Sequence, residues 1–241
     1  PADSDSLILA MNNGRPMSPK LMYEFPRAAM NVELKRGRGA VTRFLDQVYG
    51  DSRWTRAAVH DWLRAIRPPY VIDVNRDTQL QDSYADTPHT LIVGVARVTG
   101  DGTRYRLFAW DGEKYTPTSD LAPGQPILFK PMGTPRPGGA GYIASAAAYV
   151  DCITVLMGGF AIPPTLKTLR QGKRYLLMGL RLNRDTERMV MADIIYAAHT
   201  PPGWVLIAEP TAKEERFCAR LGLEIIRADI GELIGETAMA A

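Results

Sequence analysis

Cysteine is almost absent from this chain: two in 241 residues, Cys152 and Cys218, neither with a Cys-x-x-Cys partner. That excludes a zinc ribbon and a dithiol redox pair. Both cysteines fall in apolar-periodic segments and read as small buried hydrophobes. Histidine is nearly as scarce, at three. No apolar run approaches the roughly 18 residues that span a bilayer. The opening Pro1-Ala2-Asp3-Ser4-Asp5-Ser6 is acidic and polar, unlike a secretory signal, so a cytoplasmic location is the expectation. A charge excess is missing too. The formal net charge is +3, too little for a nucleic-acid surface, which needs positive charge clustered on one face. The nearest basic run, Lys35-Arg36-Gly37-Arg38, reads as a solvated loop. There is no Walker loop, and Ser18, Ser119 and Ser145 lack a Gly-x-Ser-x-Gly elbow. What is present is ordinary for a globular chain: 46% hydrophobic and 23% charged residues, enough for one sizeable core or two small ones.

Residues 1–69 read as helical with an irregular start, because Asn12-Asn13-Gly14-Arg15-Pro16, Pro19 and Pro26 interrupt the pattern. Val41, Phe44, Leu45, Val48 and Tyr49 form one apolar stripe at helical spacing, ended by Gly50. Val59, Trp62, Leu63 and Ile66 form a second, stopped by Pro68-Pro69. Strands are then expected at 70–74, 90–96, 105–110 and 127–130, with a hairpin around Gly100-Asp101-Gly102. A proline- and glycine-rich loop (131–141), a helix over 145–157 and a helix opening at Pro163-Pro164 follow. The last third alternates. Strands are expected at 175–178, 204–207 and 223–226. Helices are expected over 185–198 (Met189, Ile194 and Ile195 inward), from Thr211 to Leu221 behind a Thr211/Glu214 capping box, and over 229–234. Alternation of this kind predicts crossover units and a mostly parallel sheet, with ligands beyond the carboxyl ends of the strands.

Three of those strand ends resemble the SIR2-like, sirtuin-related family. Asp73-Val74-Asn75-Arg76-Asp77 stands where the family has Thr-Thr-Asn-Tyr-Asp. Lys130-Pro131-Met132-Gly133 stands where it has Lys-Leu-His-Gly. Leu176-Leu177-Met178-Gly179-Leu180, followed by Asp185, stands where it has Leu-Phe-Leu-Gly-Tyr and an acidic residue. The order holds over residues 39–235. The resemblance implies a Rossmann-like, mostly parallel sheet flanked by helices, with an inserted hairpin near 90–110. It also implies a shortened N-terminus: an irregular segment over 1–38 before the α/β domain of 39–241. By the same resemblance, Asn75, Asp77, Gly133 and Gly179 are the residues that would meet NAD or ADP-ribose.

The departures from the family are specific. Its Gly-rich loop, which holds the NAD pyrophosphate at a helix N-terminus, is replaced by Ser18-Pro19-Lys20, and a proline offers no N–H to a phosphate. Gly138-Gly139-Ala140-Gly141 lies where the family has a variable loop and reads as a flexible turn. The family's histidine base is Met132, and a thioether cannot take a proton near neutral pH. Arg76 replaces a tyrosine and would either crowd the site or recruit phosphate. Asn75 and Asp77 keep the family's spacing, but they equally suit a turn that ends a strand. His60, His89 and His199 do not stand in for the missing base. The four tryptophans fit apolar stripes.

The expectation is therefore a SIR2-like protein, non-catalytic or altered in its chemistry, that needs no cofactor and acts by binding a partner protein. Some relatives with a Lys-Pro-x-Gly version of the motif are encoded near nitrogen-fixation genes, so the resemblance suggests a nitrogenase component as partner. Two other readings stay open. One is a working NAD-consuming enzyme (deacetylase, ADP-ribosyltransferase or NAD glycohydrolase) with Asp73 or Asp77 as substitute base. The other is a sensor that binds NAD or ADP-ribose without turnover, through Asn75, Gly133 and Gly179.

Overall fold

The computed structural model describes residues 3–51, 54–96, 104–157, 163–182, 188–192 and 203–235, with the backbone alone at 51 and 153–157. The chain divides into two compact units, residues 1–155 and 156–241.

The first unit begins with helices where the sequence pattern reads as irregular. Asp3 caps α1 (Ser4–Met11), its carboxylate accepting the Ser6 N–H at 2.8 Å. Pro19 opens the short α2 (Pro19–Met22), and Pro26 lies in the first turn of α3 (Phe25–Arg36). A proline is tolerated there because the first-turn N–H groups have no intrahelical acceptor. Phe25, Ala28, Ala29 and Val32 are buried at helical spacing on α3. They pack with Leu7, Ile8 and Met11 of α1 and with Val41 and Leu45 of α4 (Arg38–Asp46) into one apolar cluster. Gly50 does not end that helix. The chain continues as a π-helical turn, Gln47–Asp51. The next helix, α5 (Ala58–Ile66), is amphipathic as expected, yet Ile66 is half exposed and Arg67, at φ 48°, closes it.

The sheet of this unit is mixed, not mostly parallel. Its order is β1-β5-β2-β3-β4, from β1 (Tyr70–Ile72), β2 (His89–Gly94), β3 (Tyr105–Trp110), β4 (Tyr115–Thr118) and β5 (Ile127–Lys130). The pairs β1·β5 and β5·β2 are parallel, whereas β2·β3 and β3·β4 are antiparallel. The expected hairpin strands do pair, but β2 is no insertion. It is buried at every residue and sits at the centre of the sheet. The hairpin's turn lies outside the described residues. Pro117 sits within β4, at the sheet edge, where a missing N–H breaks no ladder. The short α6 (Gln79–Ser83) connects β1 to β2, and Leu80, Tyr84, Leu91, Val93, Phe108 and Leu128 form a second cluster on the sheet. α7 (Ala146–Met157) contains the division between the units.

In the second unit, α8 (Pro164–Arg170) is followed by a three-stranded, all-parallel sheet of β6 (Tyr175–Leu177), β7 (Gly203–Leu206) and β8 (Leu223–Ile226), in that order. The capping box before the helix Ala212–Leu221 is formed: Glu214 donates its N–H to Thr211 Oγ1, and Thr211 donates its own N–H to Glu214 Oε2. Asp229 and Glu232 cap the helix Ile230–Ile234 the same way. Of the helix expected over 185–198, residues 188–192 are described and helical; Asp185, Ile194, Ile195 and His199 lie outside the described residues. Met189, expected inward, is half exposed, and Val190 and Met191 are buried instead. Among the described residues no helix is long and apolar enough to cross a membrane.

Candidate functional site

In the first unit β1, β5 and β2 run parallel, so the segments that follow them emerge at one edge of the sheet, the edge at which ligands bind in open α/β sheets. Two of the three resemblance motifs meet there. Lys130 closes β5 with its side chain fully buried, and its ammonium donates to Asp73 Oδ2 at 2.6 Å, just past β1. The other Asp73 oxygen accepts the Asn75 N–H at 2.9 Å. Asp77 Oδ1 accepts the Gln79 N–H at 2.9 Å. Asp73 and Asp77 thus build two successive Asx turns that steer the chain from β1 into α6. Both carboxylates named as substitute bases are engaged in these bonds. Asn75 itself is exposed.

Met132 lies inside. It is 2% exposed, and its carbonyl accepts the Ile143 N–H at 3.1 Å. Gly133 follows at φ 90°, and a Cβ there would stand 2.4 Å from the Gly141 carbonyl oxygen. Just past the neighbouring strand β2, the Ala96 N–H donates to the Ala140 carbonyl at 3.3 Å. At Gly94 a Cβ would meet the Pro131 carbonyl oxygen at 2.1 Å. Segment 140–143 is therefore bonded to the residues that follow both β2 and β5. Ala140 is buried, so the expected flexible glycine turn is in part a packed strap.

Arg76 turns inward rather than to solvent. Its Nη2 donates to the Ile143 carbonyl at 2.6 Å and to the Tyr149 hydroxyl at 3.1 Å, and its guanidinium lies 5.8 Å over the Phe25 ring. Its Nε is buried without a hydrogen-bond partner. Tyr49, from the π-helical turn, stands beside it: burial raises the Tyr49 phenol, and the Arg76 charge opposes that shift. Tyr142 donates to Asp46 Oδ1 at 2.7 Å, and burial together with that carboxylate pushes its phenol far above the usual tyrosine value. Tyr49, Asp46, Tyr142 and Tyr149 had no signal in the sequence beyond the apolar stripe that holds Tyr49.

The remaining candidates lie elsewhere. Gly179, in the second unit, takes φ 66° after β6, and a Cβ there would touch Ile230 at 3.4 Å. His60 is on α5, its Nδ1 3.2 Å from the Ala57 carbonyl. His89 is fully buried. Its Nδ1 is 2.8 Å from the Thr87 carbonyl, and its Nε2 is 2.8 Å from the Tyr115 hydroxyl. A carbonyl only accepts, so Nδ1 carries the proton and Tyr115 donates to Nε2. Burial holds His89 below the ordinary imidazole value and raises Tyr115 to about 12. Gln81 and Thr134 extend this chain, Thr134 Oγ1 donating to Gln81 Oε1 at 2.8 Å. The indoles of Trp54, Trp110 and Trp204 donate to Val48, Ala85 and Glu224. Among the described residues no group of three His, Cys, Asp or Glu is placed to hold a metal ion. The chain matches no family model and no curated protein sequence.

Proposed function

We propose that this chain is a SIR2-like protein that lacks NAD-cleaving chemistry and acts by binding a partner protein. The observation that carries the reading is Met132. At the position where the family's histidine would meet a ribose, a 2%-exposed thioether is packed inside the protein, its backbone bonded to Ile143. Three further facts support it. Lys130 and Asp73 satisfy each other instead of facing a ligand. The space beside Gly133 is taken by the Gly141 carbonyl. The family's phosphate loop is replaced by Ser18 and a four-residue helix that opens on Pro19. NAD does not suit these residues in the family's manner, and no catalytic step is assigned to it.

Partner binding follows from the resemblance, which suggests a nitrogenase component. Its direct test is affinity capture from native extract, then reconstitution with the purified protein recovered. Co-elution of the two is expected; recovery of the chain alone under several growth conditions overturns the reading. The loss of chemistry is tested with NAD and ADP-ribose. A ligand at about 100 times its dissociation constant stabilises by about 2.7 kcal/mol. No thermal shift at millimolar ligand is expected. A shift without nicotinamide release would instead favour the sensor, and release abolished by Asn75→Ala would favour the enzyme.

A further inference from the structure

His89 and the hydrogen-bonded network around it take no part in the sheet-edge site. The network runs from the Thr87 carbonyl through His89, Tyr115 and Gln81 to the Arg136 carbonyl. We propose that it is an acid-released latch: when His89 takes a second proton, Tyr115 lets go of it and β4 parts from β3, while the rest of the sheet stays paired.

The order of donors along the network is fixed at both ends, because each end is a carbonyl and a carbonyl only accepts. The Thr87 carbonyl holds the His89 proton on Nδ1, so Nε2 accepts from the Tyr115 hydroxyl at 2.8 Å. The Arg136 carbonyl, 2.5 Å from Gln81 Nε2, fixes the amide in the same way. Gln81 Oε1 then accepts from Thr134 Oγ1 at 2.8 Å, and Gln81 Nε2 also donates to the Tyr115 oxygen at 3.5 Å. Tyr115 thus meets a donor on the Gln81 side and its one acceptor on the His89 side. While His89 is neutral, no side-chain atom of the network is left without a partner. A proton on Nε2 turns that acceptor into a donor, and the Tyr115 hydroxyl proton has no acceptor left in the network. Gln81 cannot turn over to receive it without setting its oxygen against the Arg136 carbonyl.

The surroundings do not compensate an imidazolium. His89 is fully buried, and among the described residues only burial and backbone hydrogen bonds act on its proton, with no charged side chain involved. The rings packed on it are Tyr84 past α6, Trp110 of β3 and Tyr115 of β4. Trp110, at 6.0 Å, lies at the outer limit of cation–π reach. The charges that act on the two phenols are already paired: Arg64, beside Tyr84, with Asp86, and Arg136 with Asp82, beside Tyr115.

β4 is the element that yields. It lies at the sheet edge, pairs only with β3 among the described residues, and exposes Thr116 and Pro117. β2 is paired on both sides and buried throughout. Parting at β4 admits water to the imidazolium and uncovers the edge of β3.

The test follows amide hydrogen exchange by NMR in the full chain between about pH 7.5 and pH 5, corrected for the intrinsic pH dependence of exchange. Amides of the β3·β4 ladder should lose about ten- to thirtyfold of their protection, the upper figure set by proton uptake near 6.5 in the open form. At pH 5 their exchange should be nearly independent of low urea, the mark of a small local opening, whereas β2·β5 amides should show the steep urea dependence of global unfolding. His89→Gln, neutral throughout, should hold β3·β4 protection constant within about twofold. Should that variant not fold, the parent profile decides: the loss must begin near pH 6.5 and grow by no more than about tenfold per pH unit, as a single proton requires. Constant β3·β4 protection in the parent, exchange of both ladders at one rate with one urea slope, or an undiminished pH response in His89→Gln would each overturn the inference.

Discussion

Asp73 and Lys130 are opposite charges taken out of water, one 11% and the other 0% exposed, at 2.6 Å. Such a pair is costly to break and often cheap to replace. Removing one partner leaves an uncompensated buried charge, at about 3–5 kcal/mol, whereas an apolar pair of similar volume is often neutral. Asp73→Leu and Lys130→Met should therefore each lower the urea midpoint strongly, and the double variant should recover most of the loss. Additive losses would mean that the two residues do not act as a pair. His89 gives a pH dependence. Its folded value lies below the unfolded value near 6.5, so the unfolded chain binds the extra proton first. The stabilisation is complete above pH 6.5 and is lost as pH falls from there toward the folded value, by at most about 1.4 kcal/mol per pH unit. Unfolding free energies measured between pH 5 and 8 should show this fall, and His89→Gln should flatten it. Met132→His should cost about 1–3 kcal/mol, because the imidazole would be buried where a thioether packs. It should restore no nicotinamide release in a direct assay.

At the scale of elements, backbone approach explains the two glycines beside the strap. Gly133→Ala must strain a positive φ and also meet the Gly141 carbonyl, whereas at Gly112 (φ 106°) a Cβ would touch nothing within 4 Å. Both substitutions carry a conformational cost of about 1–3 kcal/mol; denaturant unfolding should show Gly133→Ala the more destabilising, the difference being the clash. Periodicity sufficed to locate β3, β5 and β8, whose bounds agree with the apolar runs, and Thr211 with Glu214 marked a capping box. It failed at α2 and α3 because Pro19 and Pro26 look like breakers in a sequence but occupy first turns in the structure. It missed β4 because Pro117 argues against a strand anywhere except an edge. Strand direction was not legible either. An apolar run shows that a strand exists but not which neighbour it pairs with, and β2 pairs parallel on one side and antiparallel on the other. The Arg76 cluster was hidden for the same kind of reason: Ile143 and Tyr149 are 67 and 73 residues away in the chain.

At the scale of the whole molecule, the expected parallel alternation belongs to the second unit, whose three strands are all parallel, while the first unit carries the mixed sheet and two of the three resemblance motifs. The central claim is that the sheet edge beside Met132 has given up NAD cleavage. The measurement that addresses it most directly is nicotinamide release from NAD by the purified full chain, quantified chromatographically against a buffer control. The account predicts release indistinguishable from the control. Release above it that disappears in Asn75→Ala would contradict the account.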